Sequence, residues 1–176
     1  MNGKESAYDD VRAQLVQFTP RLRRFALTLT RSQADADDLV QSTLERALVS
    51  LQQWQSGTRL DSWLYRIAQN LWIDQRRRAR LRGSTESDEA MLLTGEDGRE
   101  TNERQLMVRD AICAFGSLPE EQQAVLALVS IEGLSYGEAA DVLNVPIGTV
   151  MSRLARGRRA IAAHVLGMPM DRRVRV

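Results

Sequence analysis

A chain of 176 residues that is 43% apolar and only 5% aromatic can bury a core, as one domain or as two small ones. Its formal net charge of +1 points to no partner by itself, and its single cysteine, Cys113, excludes an internal disulfide. No run of about 18 uncharged apolar residues exists, so no membrane insertion is expected. The start of the chain, MNGKESAYDD, is polar and lacks the apolar stretch of a signal peptide, which makes the expected location cytoplasmic. No good alternating strand pattern occurs, and the apolar periodicities favour helices.

Charge is distributed unevenly. Arg76 to Arg82 holds five arginines in seven residues; Gly83 to Gln105 holds seven acids against two arginines; Arg153 to Val176 holds seven arginines and one aspartate. Two basic segments flanking an acidic one are hidden in the near-zero sum.

The first predicted helix runs from about Asp9 to Leu29. Val11, Leu15, Phe18, Leu22, Phe25 and Leu29 step by four and three and define one face. Ser32 is placed to cap a second helix, with Asp35, Asp37 and Asp38 where the helix dipole favours negative charge. Its apolar face is Ala36, Leu39, Val40, Thr43, Ala47, Leu48 and Leu51. Thr58 with Asp61 has capping-box spacing for a third helix over about Leu60 to Arg80, with Trp63, Leu64, Ile67, Ala68, Leu71 and Trp72 inward. Three helices with short connections make one bundle ending near Arg82.

Gly83 to Gly98 is acidic, carries three glycines and has no sustained period, so it reads as a linker. Helix resumes near Thr101, with Leu106, Val108, Ile112 and Phe115 as candidate buried positions. Cys113 is a weak redox-sensor candidate, and its apolar neighbours Ile112 and Phe115 favour an inert buried thiol. Ser117-Leu118-Pro119-Glu120 starts the next helix, which carries Ala124, Val125, Leu128 and Val129 and ends at Gly133.

From Leu134 to Arg159 the chain reads as a helix-turn-helix. Ser135 with Glu138 is a capping box for a short helix from Tyr136, whose buried side is Ala139, Ala140 and Leu143. Asn144 and Val145 break it, and Pro146 suits the first turn of the next helix. There Val150, Leu154, Gly157 and Ile161 face inward, while Thr149, Ser152, Arg153, Arg156 and Arg159 fall mostly on the other side. A short helix, a tight turn and an outward helix of donors suit a major groove.

The expected fold class is therefore all-α: two small helical bundles joined by an acidic flexible linker, with boundaries at 1–82, 83–100 and 101–176 and a frayed tail from Gly167. The chain resembles bacterial sigma factors, and more narrowly the two-domain extracytoplasmic-function (ECF) group. The match is carried by ADADDLVQSTLERAL (Ala34 to Leu48), LDSWLYRIAQNLWIDQRRR (Leu60 to Arg78) and LPEEQQAVLALVSIEGLSYGEAADVLNVPIGTVMSRLARGRRAI (Leu118 to Ile161), in the family's order and separation. FTPRLRRFALTLTRSQADADDLVQSTLERAL also resembles the subgroup that drives general stress responses in alphaproteobacteria.

The resemblance implies sites. The family's second helix binds the β′ clamp helices of core RNA polymerase, which points to Asp38, Leu39, Val40, Gln41, Leu44, Glu45 and Arg46. Periodicity alone leaves Leu39, Val40 and Leu44 open between docking and core. The third helix in the family reads and melts the promoter −10 element. Carry-over points to Trp63, Tyr65, Arg66 and Asn70, with Arg76, Arg77, Arg78 and Arg80 as phosphate neutralisers. Spacing favours Trp63 and Trp72 as core, and the arginine run taken alone is a solvated helix end. The linker in the family threads toward the polymerase active centre, and a plain acidic spacer would have the same composition.

The helix-turn-helix in the family reads the −35 element and rests on the β-flap. It implicates Ser135, Tyr136, Thr149, Met151, Ser152, Arg153 and Arg156, with Arg153 and Arg156 as guanine or phosphate partners. Arg158 and Arg159 read as phosphate contacts or solvated charge, and the amides opening the Tyr136 helix as a phosphate rest. The expected partners are core polymerase, promoter DNA and an anti-sigma factor, with no cofactor and no metal. Against an enzyme, the one histidine, His164, has no cysteine or acid beside it, and no phosphate loop, nucleophile elbow or metal spacing occurs. A plain helix-turn-helix regulator would leave Leu60 to Arg82 unexplained. A sigma mimic that titrates an anti-sigma factor would not need Asn70, the arginine cluster, Arg153 or Arg156.

Overall fold

The apolar steps along the chain become helices that pack as two compact units. The computed structural model describes residues 2–51, 59–82 and 102–167, and every regular element among them is helical. The capping Thr58, the linker over Gly83 to Gly98 and the tail beyond Gly167 lie outside the described residues. No described helix is long and apolar enough to cross a membrane.

The first unit holds α1 (Asn2–Thr30), α2 (Gln33–Val49) and α3 (Leu60–Leu81), each packed on the other two. α1 begins earlier than its apolar face, because a nucleated helix propagates without one. It also continues through Pro20, whose missing N–H costs the Val16 carbonyl its helical partner. Val16 and Pro20 both lie on the solvent side, where water can replace that bond. All six residues of the α1 face are buried. Arg31 turns the chain with φ 59°, and its N–H donates to the Leu27 carbonyl at 2.9 Å. Ser32 Oγ then accepts from the Asp35 N–H at 3.3 Å and caps α2.

On α2, Ala36, Leu39, Val40, Thr43 and Ala47 are buried, and the Thr43 hydroxyl is satisfied by the Leu39 carbonyl at 2.7 Å. Leu48, expected inward, is exposed: it lies about 100° around the helix from Ala47, past the edge of the buried arc. α3 buries Leu64, Tyr65, Ala68, Gln69 and Trp72, while Trp63, Ile67 and Leu71 flank them half-buried. Its N-cap is Arg59, which makes no side-chain cap; its guanidinium instead pairs with Asp61 at 2.6 Å.

The second unit is built on α4 (Asn102–Ser117), α5 (Glu120–Leu126), α6 (Tyr136–Leu143) and α7 (Ile147–Val165), with α4 and α5 both packed on α7. Gln123, fully buried, donates to the Gly116 and Leu118 carbonyls at 3.2 and 2.7 Å and ties the α4–α5 turn together. Ala124, Val125, Leu126, Ala127 and Leu128 are all buried, whereas Val129 is half-buried. From Ala127 the helix widens into a π-helical turn to Ile131, closed by the Glu132 N–H on the Ala127 carbonyl at 3.0 Å. Gly133 leaves it at φ +73°, a conformation that favours glycine.

Leu106 and Val108, expected in the core, are exposed together with Met107. α4 reaches the core through its C-terminal half, at Ala114, and the described residues do not cover its first turns. Cys113 is exposed too, correcting its reading as a buried thiol, since it points about 100° away from the inward Ala114.

Candidate nucleic-acid and protein interfaces

Both turns of the helix-turn-helix are locally encoded. Ser135 and Glu138 form the full capping box: the Glu138 N–H donates to Ser135 Oγ at 3.2 Å, and the Ser135 N–H donates to Glu138 Oε2 at 2.8 Å. The Ser135 hydroxyl also donates to that carboxylate at 2.8 Å. Glu138 thus takes up both the N–H and the hydroxyl hydrogen of Ser135, and the capping pair serves its own helix. α6 buries Ala139, Ala140 and Val142, with Leu143 half-buried, and ends on Asn144 in the left-handed region at φ 51°. Asparagine tolerates that conformation better than other non-glycine residues. Pro146 is the N-cap of α7, one position before the first turn.

α7 buries Val150, Leu154 and Gly157. Gly157 sets the approach to α5: a Cβ built there would fall 2.7 Å from Leu126 Cδ1. The outer side then carries Ile147, Gly148, Met151, Ser152, Ala155, Arg156 and Arg159. Ser152 Oγ donates to the Thr149 carbonyl at 3.0 Å, Arg156 Nε to the Ser152 carbonyl at 3.3 Å, and Thr149 is half-buried.

Arg153 departs from the sequence expectation. Its side chain is 19% exposed and pairs with Glu121 Oε2 at 3.1 Å, which ties α7 to the first turn of α5. Arg158 reaches Ser130 Oγ at 3.3 Å on the π-helical turn. Among the expected −35 residues, Met151, Ser152 and Arg156 are therefore exposed on α7, and Arg153 braces the scaffold behind them. The exposed Ile147 was not singled out from sequence, because an apolar residue opening a helix reads as core.

In the first unit, Arg66, Asn70 and Arg77 recur at four and seven along α3 and make one exposed strip. Arg78 and Arg80 continue the positive charge at the last turn, where the helix dipole favours it. Arg76 is half-buried, its guanidinium 5.7 Å from the centroid of the buried Trp72 ring. Tyr65, expected to touch DNA, is instead fully buried. Its ring meets Phe18 and Phe25 edge-on, at 5.1 and 4.9 Å between centroids. Three rings from two helices form the aromatic heart of the bundle, and no DNA reaches Tyr65 without unfolding it.

α2 shows the same division. Leu39 and Val40, implicated in docking, belong to the core. Asp38, Gln41, Glu45 and Arg46 are exposed, Leu44 is half-buried, and Gln41 Nε2 donates to Glu45 Oε1 at 2.9 Å. Leu48 and Val49 extend this strip with exposed apolar surface that the sequence reading had not assigned to it. Asp37 turns back to Arg23 of α1 at 2.6 Å, and that hydrogen bond holds its carboxyl below the usual range. A cleft of 460 Å³ also opens between α1 and the start of α3, lined by Gln14, Gln17, Phe18, Arg21, Arg59, Leu60 and Asp61. The Asp61 carboxyl is likewise lowered, first by its hydrogen bond from Arg59, against the opposing effect of burial.

A basic strip on α3, an exposed strip of charged, polar and apolar residues on α2 and an outward helix in a helix-turn-helix occur here in one chain. The Sigma-70 region 2 family model matches residues 15–82, and the Sigma-70, region 4 model matches residues 109–161. The chain belongs to the ECF sigma factors. It is 35% identical over 156 residues to the ECF RNA polymerase sigma factor EcfG of Rhodopseudomonas palustris, covering 88% of this chain and 84% of that one. It is 39% identical over 151 residues to the ECF sigma factor SigE of Mycolicibacterium smegmatis, covering 82% of this chain and 57% of that longer one. Among solved structures it resembles the sigma factor RpoE of Bartonella quintana, determined in complex with the anti-sigma factor NepR. There the TM-score is 0.72 and the identity 28%, over 93% of this chain and 99% of that one. As a sigma factor, the protein directs RNA polymerase to promoters.

Proposed function

We propose that the sigma factor divides its work among three exposed surfaces. The α2 strip of Asp38, Gln41, Glu45, Arg46 and Leu48 docks on the β′ clamp helices, where an apolar edge beside fixed charges suits a helical partner. The α3 strip of Arg66, Asn70 and Arg77, with Arg78 and Arg80, engages the −10 element. Asn70 offers a donor and an acceptor to an unstacked base, and the arginines hold the displaced strand. The outer ridge of α7 reads the −35 element, while the second unit rests on the β-flap. The chemistry of RNA synthesis stays with the polymerase, and the protein acts in the cytoplasm without a cofactor of its own.

The observation that carries this reading is the Arg66–Asn70–Arg77 strip, which neither a plain regulator nor an anti-sigma decoy would need. An anti-sigma factor as resting-state partner is supported by the likeness to a sigma factor solved with one. The similarity to EcfG supports placement in the general-stress-response subgroup.

The deciding experiment is multi-round transcription from a genomic promoter library with purified protein and bacterial core polymerase. Transcripts starting downstream of one shared pair of −35 and −10 elements are expected. Asn70→Ala should then reduce permanganate reactivity of the bubble more than duplex binding. A folded protein that yields no transcripts beside an active control overturns the reading in favour of a decoy, and an undiminished bubble removes Asn70 from base reading.

A further inference from the structure

Two large apolar side chains face solvent on the first turns of α7. Ile147 is 51% exposed and Met151 52%, and their spacing of four places them side by side on one ridge. Gly148, in the same turn, has no Cβ, and nothing lies within 4 Å of where one would be. The surface is thus low at Gly148, beside the apolar pair. Further along the same line of fours stands the exposed Arg159, and the exposed Arg156 lies on the neighbouring line with Gly148 and Ser152.

Single exposed apolar residues are ordinary on protein surfaces. This pair is distinguished by its surroundings. All of α7, from Ile147 to Val165, contains four arginines and not one carboxylate. A helix so charged suits a polyanion, and its N-terminal turns are those that meet base edges in a helix-turn-helix. Isoleucine has no hydrogen-bonding side chain, and the methionine sulfur is only a weak acceptor. The major groove presents one apolar group to such residues, the C5-methyl of thymine. Methionine, unbranched and polarizable, adapts its path to reach one.

Resting on the −35 reading above, we propose that Ile147 and Met151 are specificity-determining residues that select thymine in the upstream element by contact with its methyl group. Arg156 and Arg159 position the helix on phosphates, and the apolar pair supplies sequence information through shape and desolvation rather than hydrogen bonds.

The test uses holoenzyme assembled from the full chain and core polymerase, with promoter duplexes randomised through the upstream element. Each thymine of the enriched element is then replaced by deoxyuridine, which removes only the methyl. Wild-type holoenzyme should lose about fourfold in affinity at one or two thymines, the worth of one buried methyl. That loss should disappear at one of them in Met151→Ala and at the same or a neighbouring one in Ile147→Ala, with core polymerase binding unchanged. Deoxyuridine tolerated at every position overturns the proposal, as does an undiminished penalty in both variants or an enriched element without an A·T pair. If no upstream element is enriched at all, the −35 reading itself fails and the proposal falls with it.

Discussion

Replacing Tyr65 by alanine separates core from interface. Tyr65 is fully buried, with Phe18 and Phe25 edge-on at 5.1 and 4.9 Å. Truncating a buried aromatic costs about 3–5 kcal/mol, including the cavity left behind. For a unit of this size, each kcal/mol moves the melting temperature by about 4–8 °C. Tyr65→Ala should therefore lower the melting temperature of the first unit by roughly 15–30 °C, a large part of the ~5–15 kcal/mol that holds a domain together. All three tryptophans, Trp54, Trp63 and Trp72, precede the linker, so tryptophan fluorescence follows this unit alone. Tyr65→Phe keeps all three rings and should cost no more than about 1–2 kcal/mol. With the fold lost, Tyr65→Ala should lose polymerase binding and promoter opening together, and Tyr65→Phe should keep both. A Tyr65→Ala protein within about 1 kcal/mol of wild-type stability that binds polymerase but cannot open promoters would refute the assignment of Tyr65 to the core.

Gly157→Ala gains about 1 kcal/mol of helix propensity but forces a Cβ to 2.7 Å from the buried Leu126; overpacking of about 1–3 kcal/mol should win and lower the melting temperature of the second unit. Pairing it with Leu126→Ala should be less than additive in a double-mutant cycle, and strict additivity would show the contact to be harmless. Ser135→Ala breaks the capping box and should destabilise that unit by about 1 kcal/mol in urea denaturation. Asp61, lowered by Arg59, contributes stability that is complete above the ordinary carboxylate pKa and is lost as pH falls through its depressed folded value. Asp61→Asn should flatten that acid limb, and an unchanged profile would remove the pair from the pH response. Arg156→Ala should weaken promoter binding and reduce its salt slope by about one counterion, whereas Arg153→Ala should first destabilise the second unit, as read by circular dichroism.

What the chain determined by itself is local. The fours and threes of α1, the Ser135–Glu138 box, the left-handed Asn144 and the Gly133 stop each depend on neighbours within a turn or two. All are written where they act, and the order of the motifs carried the family. What the tertiary structure decided is which part of each apolar arc finds a partner. An arc read from spacing is uncertain by about one residue, or 100° of rotation. That single step turns Tyr65 into the core and Leu48 out of it. Spacing is also silent on how far a neighbouring helix extends, so Val108, four residues before Ile112, keeps a helical period and remains exposed. Arg153 shows the same limit for charge: its place on a basic helix was legible, but Glu121 lies on another helix, and only packing brings the two within 3.1 Å.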